Sequence, residues 1–522
     1  MLVKTYAAAL QSIYATTVTI EVHSTPGVYF QLVGLPDAAV KESHDRIVSA
    51  IESSGFRFPG THIVINMSPA HIKKEGTAYD LPLAIGILAS NEIIPDDNLG
   101  KYMIMGELSL DGSLKPVKGA LPIAIQARVE GFEGLILPKQ NAGEAAVVNN
   151  LKVYGAESLA QVIEFLCGKK EIEQVIIDTR KEFYKQQDIF DYDFSEVKGQ
   201  DNVKRAIEVA AAGGHNIILI GAPGSGKSMM AKRMPGILPP FTLSESLETT
   251  KIYSVAGKMG SRSTLLTSRP FRAPHHSISP AALVGGGSFP QPGEISLAHN
   301  GVLFLDELAE FNRNVLEVMR QPLEERKVTV ARAKFTVDYP AGFMLVAAMN
   351  PCPCGYYNHP SRPCQCSPQQ VQKYLGKISG PLLDRIDIQV EIVPVPFDKL
   401  SDPVEAESST EIRARVMKAR EIQNKRFENY PEIHSNAQMT PKMMQEFARP
   451  DANGLHRLKL AMERFDLSAR AYDRILKVSR TIADLEGSKE IRAEHIGEAI
   501  NYRSLDRESW GTQSINKSIR ID

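Results

Sequence analysis

The chain has 522 residues, enough for about three domains, and its 43% apolar content is ordinary for a globular protein. A formal net charge of -1 excludes a global positive field, so any nucleic-acid contact has to come from local patches. The sequence has no bilayer-length apolar run and no signal-type start at Met1–Tyr6, and its five cysteines are too few for a disulfide scaffold, so a cytoplasmic protein without a membrane partner is expected.

Residues 1–170 alternate short strand-like runs, such as 16–22 and 61–66, with helix-like ones. Two stretches stand out, 72–84 around Lys73-Lys74-Glu75-Gly76-Thr77-Ala78 and 106–117 around Asp111-Gly112-Ser113-Leu114-Lys115. Together they resemble the Lon-protease-type (S5-type) α/β domain. Active members pair a serine nucleophile with a lysine base. Here Ala78 stands where the serine belongs and Leu121 where the lysine belongs. Neither side chain can do the chemistry, so no peptidase activity is expected. Ser113, Lys115 and Lys118 would substitute only in a shifted register. The domain then reads as a scaffold, a ring-builder or a DNA-contact surface. Arg57, His71, Lys73 and Lys74 are candidate phosphate contacts, set against the default of a solvated basic face. Cys167 reads as a core thiol.

A charged stretch, 171–190, reads as a linker with some helix, and a second domain is expected over 191–396. Its run 216–220 is a short β-branched strand candidate, followed by Gly221-Ala222-Pro223-Gly224-Ser225-Gly226-Lys227-Ser228 and then by good helix formers. Strand, glycine loop and helix form the context that the pattern G-x-x-x-x-G-K-[ST] requires. Backbone N–H groups freed by the glycines cradle phosphate oxygens, Lys227 reaches the β- and γ-phosphates, and Ser228 ligates Mg²⁺. ATP and Mg²⁺ are the cofactors expected.

Downstream, Phe271-Arg272-Ala273-Pro274-His275-His276 leads to Gly285-Gly286-Gly287 and then to 293–301. Neighbouring side chains on regular backbone point apart, which argues against a metal site at the histidine pair. The strand candidate 302–305 ends in Asp306 and Glu307, placed to hold the Mg²⁺ shell and to polarise the attacking water. A third, 343–349, ends at Asn350, which either orients that water from the other side or is an ordinary strand-to-turn asparagine. Cys352, Cys354, Cys364 and Cys366 follow as two C-x-C pairs with nine residues between them, a set that either closes a structural Zn²⁺ site or remains as free thiols. Arg385 precedes a further strand, where a bare arginine reads as a surface charge.

From 397 to 522 the pattern turns helical. Residues 411–427 form a long basic helix candidate with Ile412, Val416, Ala419 and Gln423 on one face; its charges read as solvated, with phosphate tracking as the alternative. A second helix starts after Ser468, carries Arg470, Ile475, Val478, Ile482 and Leu485, and can stop at Gly487.

Three strands each ending in a polar group resemble the AAA+ ATPase core. The segment 271–301 is similar to the magnesium-chelatase subunit I family and, more closely, to its YifB/ComM branch; with the Lon-like front end, the resemblance covers nearly the whole chain. It implies a P-loop core with a parallel sheet and a C-terminal helical lid over 397–522. It makes Asn350 sensor 1, Arg385 an arginine finger acting in the neighbouring subunit, and Arg470 sensor 2. It places 271–301 at the central pore of a ring. It also implies a hexameric ATPase acting on branched or single-stranded DNA, a branch-migration helicase in natural transformation. The alternative is a metal-insertion or protein-remodelling motor of the magnesium-chelatase type.

Overall fold

Two β-sheets organise the chain in a computed structural model that describes residues 1–185, 190–260, 264–287, 290–332, 335–395, 406–430, 432–465 and 467–503. The first sheet holds β1 (Leu2–Gln11), β2 (Tyr14–Thr25), β3 (Tyr29–Val33), β4 (His62–Ser68), β5 (Tyr102–Ile104), β6 (Gly134–Pro138) and β7 (Lys152–Ala156), in the order β3-β4-β2-β1-β5-β6-β7. It is mixed: β2 runs antiparallel to β1 and β4, while β5, β6 and β7 are parallel. Along β4, Ile63, Ile65 and Met67 are buried and their neighbours half-exposed, the period of two that seats one face on a core. Over this sheet lie α1 (Asp80–Ser90), buried along its whole length, and α2 (Ala120–Val129).

The second sheet is parallel throughout. Its strands β8 (Ile217–Gly221), β9 (Phe271–Arg272), β10 (Val302–Leu305), β13 (Met344–Met349) and β14 (Ile388–Ile392) lie in the order β9-β10-β13-β8-β14. An antiparallel hairpin of β11 (Lys327–Arg332) and β12 (Phe335–Pro340) stands apart from it. Every residue of β8, β10 and β13 is buried, as expected where both faces of a parallel sheet are covered. β8 starts one residue later than the sequence pattern predicts. Asn216 is held at its threshold instead: its Oδ1 accepts from the Leu345 amide at 2.9 Å and its Nδ2 donates to the Arg385 carbonyl at 3.0 Å.

Helices α3 (Asp201–Gly213), α4 (Lys227–Ile237) and α5 (Leu243–Ala256) belong to this half, and α6 (Ser409–Arg426), α7 (Ala469–Leu485) and α8 (Ala493–Asn501) follow it. α6 turns Ile412, Val416, Ala419 and Gln423 inward, the face predicted, and packs on α3 and α4. A reciprocal cap of Ser408 and Glu411 starts it. The Ser468 hydroxyl accepts from the Ala471 amide at 3.2 Å to start α7, and Gly487 (φ 69°) lets the chain leave it.

The two halves share their cores. Phe241 and Leu265 belong to the first, and Ile13, from the β1–β2 turn, is buried in the second. α2 packs on α5, and the Gly119 amide donates to the Ser254 carbonyl at 3.1 Å.

Beneath α7 lies a polar network centred on the buried side chains of His215, Asp387 and Thr481. His215 contacts Asp387 through Nδ1 at 3.2 Å and Thr481 through Nε2 at 2.8 Å, while Arg474 pairs with Asp387 at 3.0 Å. Burial works to raise the Asp387 carboxyl, but Arg474, His215 and Lys477 hold it far below its ordinary value. Burial pushes His215 down as well, against the pull of Asp387. Both groups are depressed in the folded chain, so each stabilises the fold above its unfolded pKa and loses that contribution as pH falls. The melting temperature should therefore drop by about 2–4 °C between about pH 7.5 and about pH 5.5, where the unfolded chain's His215, ordinarily near 6.5, takes up a proton that the buried ring does not. His215→Asn should flatten the profile; a flat profile in the unsubstituted protein would remove His215 from the account.

Candidate nucleotide site

β8 runs into the glycine loop and α4 begins at Lys227. Gly224 (φ 76°) and Gly226 (φ 91°) sit in the left-handed region, which explains why the loop needs glycine at both. Lys227 is buried. Its Nζ donates to the carbonyls of Gly221 at 2.7 Å and Ala222 at 2.9 Å and to Asn350 Oδ1 at 3.2 Å. Burial lowers its pKa, and Asp306 and Glu307 oppose that shift. Ser228 Oγ donates to Asp306 Oδ2 at 2.6 Å. Parallel pairing of β10 with β13 and of β13 with β8 carries all three strands to one edge, so Asp306, Asn350 and the loop meet there.

This set fits a magnesium-bound triphosphate. The Ser225 hydroxyl is buried without a hydrogen-bond partner, and the Lys227 ammonium rests on its own loop's carbonyls. The Ser228–Asp306 pair offers two hard oxygen donors side by side.

Glu307 has φ 53°, and its amide donates to Asp306 Oδ1 at 2.9 Å. Its carboxylate lies 3.3 Å from His276 Nδ1. The expectation that the adjacent histidines diverge is not met: the His275 and His276 rings pack with centroids 4.0 Å apart. The turn after β9 brings the pair together and aims His276 at Glu307 rather than at a metal. Sequence reasoning missed that contact, which joins residues 31 positions apart. It also missed the β11–β12 hairpin, although the alternation in Val328, Thr329 and Val330 signals a strand.

Arg385 and Arg470 are not brought to this edge. Asn216 holds Arg385 at the start of β8, so the five residues of the strand, about 16 Å, separate it from its own glycine loop. Nor does Arg385 project outward: it is only 6% exposed, ion-paired with Glu324 and bonded to the Pro381 carbonyl, with Nε unpartnered. It lines a cleft of about 470 Å³ with Glu317, Arg320, Glu324 and Val328. Arg470, largely exposed, pairs with Asp384 at 3.2 Å and so shares the edge of Arg385.

Among the described residues, one group of His, Cys, Asp or Glu is arranged to hold an ion: Cys352, Cys354, Cys364 and Cys366, with all four sulfurs within 4.8 Å of one another. Burial works against ionisation of Cys354, but the amides of Tyr356 and Gln365 and the thiols of Cys352 and Cys366 bring it down to about 6. Burial pushes Cys364 up to about 12.

In the first half, Leu121 is fully buried and Ala78 half-buried. Cys167 is half-buried against the same core. Lys74 leaves the expected basic face altogether: it is fully buried, with Nζ donating to the Gly34 carbonyl at 2.9 Å and to that of Pro69.

Comparison with known proteins places these features. Residues 193–400 match the family described as magnesium chelatase, subunit ChlI; residues 20–141 match subunit ChlI of Mg-chelatase, and 406–503 match the ChlI C-terminal family. The chain is 42% identical over 508 residues to competence protein ComM of Haemophilus influenzae, covering 96% of this chain and 97% of that protein. It is 42% identical over 506 residues to YifB of Escherichia coli, with the same coverage. The chain belongs to the YifB/ComM family of magnesium-chelatase-like proteins. A weaker likeness, 25% over 137 residues, links 26% of the chain to 24% of Lon protease 2 of Bacillus subtilis. No helix among the described residues is long and apolar enough to cross a membrane.

Magnesium-ATP at about a hundred times its Kd should raise the melting temperature by roughly 5 °C. Lys227→Ala should abolish the shift, because the ammonium that leaves the loop carbonyls for phosphate is gone. An unchanged shift in the variant would place nucleotide elsewhere.

Proposed function

We propose that this protein is an ATP-hydrolysing ring motor that acts on DNA, with each active site shared between two subunits. The observation that carries the proposal is the separation of the glycine loop and Arg385 to opposite ends of β8. An arginine there cannot serve its own loop, but it can serve the next one in a ring.

In this reading Gly221–Ser228 wraps the phosphates and Lys227 neutralises the β- and γ-oxygens. Ser228 and Asp306 hold the magnesium ion, which when bound offsets charge on the phosphoryl group. Glu307 takes the proton of the attacking water, and Asn350, already bonded to Lys227, orients that water from the other side. Arg385 and Arg470 complete the neighbour's site, which requires Arg385 to leave Glu324 on assembly.

The division into a Lon-like domain over 1–170, a linker over 171–190, an AAA+ core over 191–396 and a helical lid over 397–522 belongs to the same proposal. So do the hexameric ring and the cytoplasmic location. The DNA assignment leans on the competence-protein name of the Haemophilus influenzae relative, and branch migration during natural transformation is the specific activity proposed. The first domain then serves as scaffold or DNA surface, without peptidase chemistry, since Ala78 and Leu121 offer neither nucleophile nor base.

Branched DNA should stimulate the ATPase and be unwound in an ATP-dependent way, with both effects lost in Lys227→Ala. Mixing Arg385→Ala with Lys227→Ala subunits should restore part of the ATPase, because some interfaces then pair an intact loop with an intact arginine. ATPase indifferent to DNA would favour the metal-insertion or protein-remodelling motor, and mixtures that stay inactive would refute the shared site.

A further inference from the structure

The four-cysteine loop lies directly on the phosphate loop. Only Pro351 separates Cys352 from Asn350, whose Oδ1 accepts from Lys227. Gly355 (φ 82°) packs so closely on Pro223 that a Cβ there would fall 2.5 Å from the proline Cδ. Asn358 bonds the side chain of Glu391 on β14, the strand beside β8. Past Cys366, a helix over Pro368–Leu375 returns Tyr374 to the Asn350 amide. The loop is thus fastened to the phosphate loop, to the neighbouring strand and to the end of β13, yet 352–366 contains no helix or strand of its own.

The sulfur positions say what gives such a loop its shape. Cys352, Cys354 and Cys364 are 3.3, 3.7 and 3.6 Å apart pairwise. A disulfide needs about 2.05 Å, whereas a tetrahedron with Zn–S bonds of about 2.3 Å has S···S edges of about 3.8 Å. Four sulfurs within 4.8 Å leave room for a single ion. An all-thiolate tetrahedral set selects zinc over hard cations such as magnesium, and with four protein ligands it has no open position for chemistry.

We propose that Cys352, Cys354, Cys364 and Cys366 bind one structural zinc ion, and that this zinc loop buttresses the phosphate loop through Gly355 and Pro223, so that loss of the metal weakens nucleotide binding. The second half rests on the reading of Gly221–Ser228 as the nucleotide site.

The test measures metal content and the affinity for a fluorescent ATP analogue on the same full-length preparations. Unsubstituted protein should carry about one zinc per chain. Cys364→Ser/Cys366→Ser should fall below about 0.1 equivalent and bind nucleotide about tenfold more weakly. Gly355→Ala keeps all four thiols, so it should retain its zinc and still lose about tenfold in nucleotide affinity. It therefore separates the contact from any general failure of the double variant to fold. Lys227→Ala should keep its zinc and lose nucleotide. Less than about 0.1 equivalent of zinc in the unsubstituted protein, or iron in its place, overturns the metal site. Nucleotide affinity unchanged within about twofold in both the double variant and Gly355→Ala overturns the buttress. Zinc present with no nucleotide bound by any form would refute the nucleotide site and leave the zinc site standing.

Discussion

The parallel register of β8 between β13 and β14 is the constraint on which the candidate site depends. Ile217 opposite Val346 and Ile388 fixes which residues reach each edge of the sheet. At the carboxyl edge, β8 releases the glycine loop while β10 and β13 end at Asp306 and Asn350. At the amino edge, the chain entering β14 presents Arg385 and Asp387 beside Asn216. In an antiparallel sheet neighbouring strands would end at opposite edges, and the same residues would not be sorted this way. Direction alone therefore gathers one set of groups around the glycine loop and sends the other to the far side of the sheet.

The cations at the two edges are held in related ways. Lys227 is buried on carbonyl oxygens and the Asn350 amide oxygen, and Arg385 is buried against Glu324 and the Pro381 carbonyl. A buried cation without partners is costly, so both need ligands from their own chain when no phosphate is near. Those ligands differ in kind. Neutral carbonyls compete weakly with a triphosphate, so Lys227 is readily released, whereas a carboxylate competes strongly for a guanidinium. In the proposed ring, the Arg385–Glu324 pair would therefore make completion of a neighbouring site more demanding than filling the subunit's own.

Much of this was legible in the sequence because its signals are local. The glycine loop, the Asp306–Glu307 pair after a β-branched run and the inward face of α6 are each read from fewer than twenty consecutive residues. The same holds for the cysteine pairs, whose spacing on a short loop forces the sulfurs together. What was not legible depends on contacts between distant segments. Glu324 against Arg385 and His276 against Glu307 are set by the packing of separate loops, which no periodicity reports. Lys74 shows the same limit from the other side. Its sequence neighbours suggest a basic surface, but the approach of the Gly34 and Pro69 carbonyls gives it a cage.

Leu121, which stands where the Lon-type resemblance expects a lysine, lies where the two halves meet. The Leu121 amide donates at 3.0 Å to the carboxylate of Glu144, a buried group whose pKa is raised by its burial. The Ser254 carbonyl on α5 accepts from the amide of Gly119, just before α2. The residues beside Leu121 thus hold the first half against the second. Leu121 itself is sealed in a core that includes Phe241 and Leu265 from the second half. A lysine at 121 would need water or a carboxylate to keep its charge, and its stem would displace apolar packing. On the proposed reading of residues 1–170 as a Lon-like domain, placing a lysine at 121 would require opening the contact that joins the halves.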